Sequence, residues 1–223
     1  MITSRDNATL KLVRKLAQKK HRVETGLFAA EGEDLVAAAA EAGVEPVELL
    51  VAGETVTPEL LSAVSTLPHP GRAIGVYRAA DLPRGTRPVV LGLWRLVDPG
   101  NVGTLLRTAD AFGVAVSLSD GCADPLSPKA LRASAGAIFR VPLTRWDELP
   151  ERRYALVAHG GEPLGDVTLE PPLALLLGSE RQGLPEDLAT DCYEVTIELP
   201  GAAESLNVAS AGAIALYEAS RPR

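Results

Sequence analysis

The 223 residues are 46% hydrophobic and 23% charged, values that fit one large globular domain or two smaller ones and exclude a disordered or fibrous chain. No apolar run is long enough to cross a bilayer, and Met1–Arg22 has no apolar core of a signal peptide, so a cytoplasmic protein is expected. Cys122 and Cys192 have no metal-ligand spacing and read as reduced structural thiols; His21, His69 and His159 form no metal pattern, so no metal is expected. The net charge of −7 argues against a polyanionic partner, but its distribution does not. Met1–Arg22 holds seven Lys or Arg (Arg5, Lys11, Arg14, Lys15, Lys19, Lys20, Arg22) against Asp6 alone, whereas Val23–Gly71 holds nine acids and no Lys or Arg. A basic arm on an acidic body is either a solvated helix face or an element that contacts phosphates and gains affinity by releasing counterions.

In chain order, Ser4 or Asn7 caps an expected helix to about Lys20, with Leu10, Val13, Leu16 and Ala17 on one face. Strand 27–30, helix 33–42, strand 47–51, helix 58–67 and strand 73–78 then alternate, which predicts a small α/β unit over residues 1–78. Residues 79–88, with Pro83, Gly85 and Pro88, read as a linker. The second domain, 89–223, opens on strand 89–97. Helices are expected at 101–112, 127–137, 184–189 and 205–220, and strands at 115–119, 139–141, 155–158, 173–177 and 194–199. Leu173-Ala174-Leu175-Leu176-Leu177 is apolar throughout, as a strand covered on both faces must be, so the sheet should be mostly parallel. Ligands of such sheets bind beyond the carboxyl ends of the strands, which directs attention to the loops after Val97, Ala158, Leu177 and Leu199.

Three of these loops can carry chemistry. Asp98-Pro99-Gly100-Asn101-Val102-Gly103 leads into a helix on which Arg107 follows; Asn101 is a cap or a site residue, and Arg107 a surface charge or an anchor for an anion. Gly178-Ser179-Glu180-Arg181-Gln182-Gly183 places a carboxylate between two glycines that let a backbone or ligand approach. Leu199-Pro200-Gly201 ends a strand, and Ser205 and Asn207 head an Ala-rich helix, where they either cap it or orient a substrate. Small residues at Ala209, Ala211, Gly212 and Ala213 suit close packing of that helix. No GxGxxG, Walker lysine or GxSxG elbow is present, which counts against dinucleotide enzymes, P-loop enzymes and hydrolases.

Taken in order, Asp98 to Gly103 with Arg107, Leu177 to Leu184, and Leu199-Pro200-Gly201 with Ser205-Leu206-Asn207-Val208 resemble the three signature motifs of the SpoU, or TrmH, family of RNA 2′-O-ribose methyltransferases in the SPOUT superfamily. Ser127-Pro128-Lys129 to Gly136 resembles the family's segment between the first two motifs. Ile2-Thr3-Ser4, Phe28 to Gly32 and Pro70 to Val76 resemble the ribosomal-protein-like substrate-binding domain often fused in front. The resemblance implies an α/β fold with a parallel sheet and a carboxyl-terminal trefoil knot, preceded by a small α/β domain. It implies S-adenosylmethionine held at Gly178, Leu199 and Leu206, with Arg107, Asn101, Glu180, Ser205 and Asn207 as catalytic residues. It also implies a homodimer formed through the knotted region, and RNA, by the domain fusion ribosomal RNA, as partner. Arg5, Lys11, Arg14, Lys15, Arg22 and Arg132 would be the RNA contacts. A non-catalytic RNA-binding or assembly factor, and a tRNA or antibiotic-resistance methyltransferase, are the alternatives.

Overall fold

The structure, a computed structural model, describes residues 1–221. The chain forms two compact units, Met1–Leu82 with Asp124–Arg140, and Pro83–Ala123 with the chain from Val141 onward. Asp124–Arg140, part of the second half by sequence order, thus clusters with the first unit.

The first unit is built on an antiparallel sheet of order β1-β3-β2, with β1 Leu27–Glu31, β2 Glu48–Val51 and β3 Ala73–Arg78. Helix α1, Ala8–Leu16, starts where the Asn7 side chain accepts from the Thr9 and Leu10 amides at 2.8 and 3.2 Å, and it buries Leu10, Val13 and Leu16 against Leu50, Leu61, Ile74 and Val76. The single basic helix expected to Lys20 is interrupted: Gln18 is extended, and α2, Lys19–Thr25, follows and ends on left-handed Gly26. The break lets Arg22 turn inward. Helices α3, Glu33–Glu41, and α4, Pro58–Ser62, complete the alternation. The latter is shorter than expected because the Ser65 and Thr66 hydroxyls and the Thr66 amide turn to the Glu31 carboxylate instead of continuing the helix. Asp124–Arg140 supplies a further short helix, α6, Pro128–Ser134, and a 3-10 turn, Ala137–Phe139, in place of the expected strand 139–141. Phe139 packs on Phe28 and Tyr77 with ring centroids 6.0 and 5.1 Å away.

The second unit is a seven-stranded sheet in which every pairing is parallel, of order β6-β5-β4-β9-β7-β10-β8. Its strands are β4 Val89–Leu93, β5 Ala115–Leu118, β6 Leu143–Thr144, β7 Arg153–Leu156, β8 Glu162–Pro163, β9 Leu173–Leu177 and β10 Tyr193–Thr196. The central strand β9 is buried along its whole length, as its composition requires. Three helices accompany the sheet: α5 Pro99–Phe112, α7 Glu186–Thr190 and α8 Val208–Ser220. Gly212 is where α8 meets its neighbours: a Cβ there would stand 2.4 Å from a Leu105 methyl of α5 and 2.8 Å from a Leu177 methyl of β9. On the other face Val90, Ala174 and Leu176 pack with Trp146, Leu184 and Leu188. The final helix begins at Val208 rather than Ser205, which leaves Glu204 to Leu206 as loop. Among the described residues no helix is long and apolar enough to cross a membrane.

Candidate active site

Beyond the carboxyl ends of β7, β9 and β10 lies a cavity of about 620 Å³. Its wall includes Gly178, Leu199 and Leu206, all three residues expected to hold a cofactor, together with Glu180, Ser205 and Asn207. Gly178 is required there by space. A Cβ on it would lie 2.1 Å from the Gly183 carbonyl carbon and 2.3 Å from the Leu184 nitrogen, because the loop folds back over it. That fold is fixed by two reciprocal backbone hydrogen bonds of 3.0 Å between Ser179 and Gly183, with Gly183 in the left-handed region at φ 66°.

Helix α5 brings Asn101 to this loop without using it as a cap. The N-cap is Asp98, whose carboxylate accepts from the Gly100 amide at 2.5 Å, so the Asn101 carboxamide is free to face the loops. Its Nδ2 donates to Glu180 Oε1 at 3.0 Å, and its Oδ1 accepts from Asn207 Nδ2 at 3.2 Å. Asn207 in turn caps α8, its Oδ1 accepting from the Ala209 and Ser210 amides at 2.9 and 3.4 Å. One hydrogen-bonded row thus joins all three loops, running from the amino-terminal end of α8 through two carboxamides to a carboxylate. Each member satisfies its neighbour, so the row fixes orientations that exposed side chains would otherwise lose to water.

The remaining expected site residues divide. Ser205 and Leu206 are exposed on the cavity wall. Arg107 is exposed on α5, outside the residues that form the wall, and makes no hydrogen bond or ion pair among the described residues. Glu180, exposed on the cavity wall, bonds Asn101 and not Arg107. Three wall residues, His159, Arg181 and Glu204, were not singled out by sequence reasoning; the only signal was their position in loops that follow strands. Of the expected RNA contacts, Arg5, Arg14 and Lys15 are exposed. Lys11 is exposed but bonds Asp6 at 3.0 Å, and this ammonium holds the Asp6 carboxyl below the ordinary range. Arg132 is exposed and reaches Thr66 Oγ1 at 3.4 Å.

Arg22 is a correction. It is only 5% exposed: its Nε and Nη2 donate to Asp124 Oδ2 at 2.9 and 2.6 Å, and Nη1 to the Leu16 carbonyl at 2.7 Å. A guanidinium so enclosed cannot contact RNA, and it serves as a structural ion pair inside the first unit. Both thiols are partly buried and pushed up from the ordinary cysteine range by that burial, which keeps them protonated at neutral pH.

The wall suits S-adenosylmethionine. The volume falls in the range of small-molecule sites, about 300–1,000 Å³. Leu156, Leu177, Ile197 and Val208 offer apolar contact, Gly178 leaves backbone accessible, and the Glu180 and Glu204 carboxylates oppose the ligand's positive charge. Among the described residues no cluster of three potential metal ligands occurs.

The chain resembles known proteins along nearly its whole length. A family model described as the SpoU rRNA Methylase family matches residues 88–217, and one described as an MRM3-like substrate binding domain matches residues 7–79. The chain is 35% identical to the 23S rRNA (guanosine(2553)-2′-O)-methyltransferase RlmP of Bacillus subtilis, over 97% of each. Its fold superposes on an rRNA methyltransferase of Sinorhizobium meliloti with S-adenosylmethionine bound, with a TM-score of 0.86 at 30% identity over 98% of this chain and 96% of that one. It likewise superposes on the SpoU methyltransferase AviRb of Streptomyces viridochromogenes in complex with S-adenosylmethionine, with a TM-score of 0.83 at 26% identity over 96% and 97%.

Proposed function

The chain belongs to the SpoU rRNA methylase family, a family of S-adenosylmethionine-dependent RNA methyltransferases, and from that premise we propose that it methylates the ribose 2′-oxygen of a nucleotide in large-subunit ribosomal RNA. The observation that carries the reading is the hydrogen-bonded row Glu180–Asn101–Asn207, whose two outer members, Glu180 and Asn207, lie in the wall of a cavity of cofactor size. S-adenosylmethionine, when bound, would supply an electrophilic methyl group and leave as S-adenosylhomocysteine, with the 2′-hydroxyl proton lost to solvent. Gly178, Leu199 and Leu206 are the residues proposed to hold it.

What the chain must add is alignment and charge management. The row fixes the Asn101 carboxamide and the Glu180 carboxylate relative to each other at the edge of the cavity, and the Ser205 hydroxyl offers a further hydrogen-bonding group on its wall. Arg107 is proposed to grip a phosphate next to the target or to stabilise negative charge developing on the 2′-oxygen. It cannot act as a base, because a guanidinium keeps its proton to pH values above about 12 and only donates.

Residues 1–78 form the RNA-binding part, joined by 79–88 to a methyltransferase domain, 89–223, whose carboxyl-terminal segment threads a trefoil knot. Exposed Arg5, Lys11, Arg14, Lys15 and Arg132 position the RNA through its backbone. The chain pairs as a homodimer through the knotted domain; exposed Ile214 and Tyr217 on α8 are apolar surface consistent with such a contact. Action in the cytoplasm accompanies a ribosomal RNA substrate.

The test is transfer of labelled methyl from S-adenosylmethionine to unmodified ribosomal RNA by the wild type and by Arg107→Ala and Arg107→Lys. The reading predicts transfer by the wild type, a loss of at least about a hundredfold in Arg107→Ala, and incomplete recovery in Arg107→Lys because an ammonium lacks the planar fork. A fully active Arg107→Ala enzyme would remove the arginine from the mechanism.

A further inference from the structure

Trp94 and Arg95 stand where β4 ends, one strand away from the cavity loop: the Trp94 amide donates to the Leu177 carbonyl at 2.8 Å, immediately before Gly178. Arg95 has φ 49°, in the left-handed region that side-chain-bearing residues seldom enter. Glycine or asparagine would make this turn with less strain, yet the position holds a long cation. Its surroundings seat that cation. The Arg95 amide donates to Ser119 Oγ at 2.9 Å. The aliphatic stem lies along Gly121, itself left-handed at φ 90°, where a Cβ would come within 3.2 Å of Arg95 Cγ and 3.7 Å of Cδ. The guanidinium carbon is 5.5 Å from the centroid of the Trp94 ring, and Trp94 rests on Trp146 with ring centroids 5.4 Å apart.

The consequence is an arginine held at its backbone and stem, with its guanidinium over the Trp94 ring, while the residue remains exposed. Among the described residues no carboxylate pairs with it. A guanidinium attracted to an aromatic ring keeps N–H groups to donate, and its planar fork matches a phosphate in a bidentate geometry. Having the side chain already ordered removes part of the entropy cost of binding. In a chain of net charge −7, such individually seated cations are the means of holding a polyanion.

We propose that Arg95 is an RNA-contact residue that binds a backbone phosphate flanking the target nucleotide, seated for this by Trp94 and Gly121. The inference rests on the reading of the neighbouring cavity as an RNA methylation site. Arg95→Gly is the informative variant, since it removes the cation and relieves the backbone at once. It should melt no lower than the wild type and bind S-adenosylmethionine equally. Its KM for RNA should rise about five- to twentyfold with kcat within about twofold, and the slope of log affinity against log salt should fall by about one. Arg95→Lys should recover part of the KM, because it keeps charge without the planar fork. An Arg95→Gly enzyme with wild-type KM and salt slope overturns the proposal, as does one whose cofactor affinity and melting temperature fall together, which marks a structural role. A wild type that neither binds RNA nor transfers methyl defeats this inference together with the functional reading; an active wild type matched by Arg95→Gly defeats this inference alone.

Discussion

Removing the carboxylate of Asp124 should destabilise the chain by about 3–5 kcal/mol, because it leaves a buried guanidinium without its counter-ion. The magnitude follows from the enclosure of Arg22: three N–H groups are bonded, two to Asp124 and one to the Leu16 carbonyl, and the side chain of Asp124 is itself only 14% exposed. In Asp124→Ala, Arg22 retains one of those bonds, to the Leu16 carbonyl. Replacing both partners, Arg22→Met with Asp124→Leu, removes the buried charge but also the acceptor of the Leu126 amide and the donor to the Leu16 carbonyl, so it should cost less than Asp124→Ala, about 1–2 kcal/mol. Both tryptophans, Trp94 and Trp146, belong to the second unit, so urea unfolding followed by far-ultraviolet circular dichroism beside tryptophan fluorescence separates the first unit's loss from the second's. The double variant should also bind RNA with the wild-type salt dependence, since Arg22 reaches no phosphate. An Asp124→Ala cost under about 1 kcal/mol, or a reduced salt slope in the double variant, would refute this reasoning.

Gly178→Ala should weaken S-adenosylmethionine binding at least about tenfold by calorimetry, because the added Cβ would collide with the Gly183 and Leu184 backbone and must open the loop; unchanged affinity would show that the loop yields freely. Asn101→Ala should lower kcat more than it raises KM, since it cuts the row between Glu180 and Asn207 while Asp98 still caps α5; a loss of stability above about 1 kcal/mol would mean that the residue is chiefly structural. Tyr77 has a buried hydroxyl with no partner among the described residues, and burial, then the nearby Glu45 charge, raises its pKa to about 12. The unfolded chain releases that proton near pH 10 and the folded chain does not, so the contribution is intact below pH 10 and is lost as the pH rises toward 12, by ~1.4 kcal/mol per unit. Tyr77→Phe should abolish that part of the alkaline loss and be no less stable at pH 7; an unchanged alkaline profile on denaturant titration would contradict it. Tyr217→Asp should turn a dimer into a monomer by sedimentation, whereas a monomeric wild type would contradict the proposed assembly.

The central strand and the loops around it were legible in sequence because each depends on local chemistry. Five consecutive apolar residues, 173–177, bounded by Pro172 and Gly178, read as a strand covered on both faces, which puts the Gly178 loop at its end. The proposed cofactor residues meet at one cavity for that reason. Other features depend on contacts that no local pattern encodes. Asn101 and Asp98 are equally good caps by residue type, and the choice of Asp98 is set by which side chain the facing loops occupy. The basic arm showed a helical face but could not show that Arg22, alone of its seven cations, finds a buried carboxylate 102 residues away. Two-residue strands such as β6 and β8 are too short for any periodicity, and the order β4-β9-β7 is set by tertiary packing. The left-handed conformation of Arg95 has no sequence signal at all, since that conformation is ordinarily announced by glycine.

The most direct measurement digests RNA methylated by the wild-type chain to nucleosides and identifies the labelled product by mass spectrometry. The account predicts a single 2′-O-methylated nucleoside, with its signal lost in Arg107→Ala. Label in a base-methylated nucleoside would contradict ribose as the acceptor, and with it the role assigned to the row of Glu180, Asn101 and Asn207.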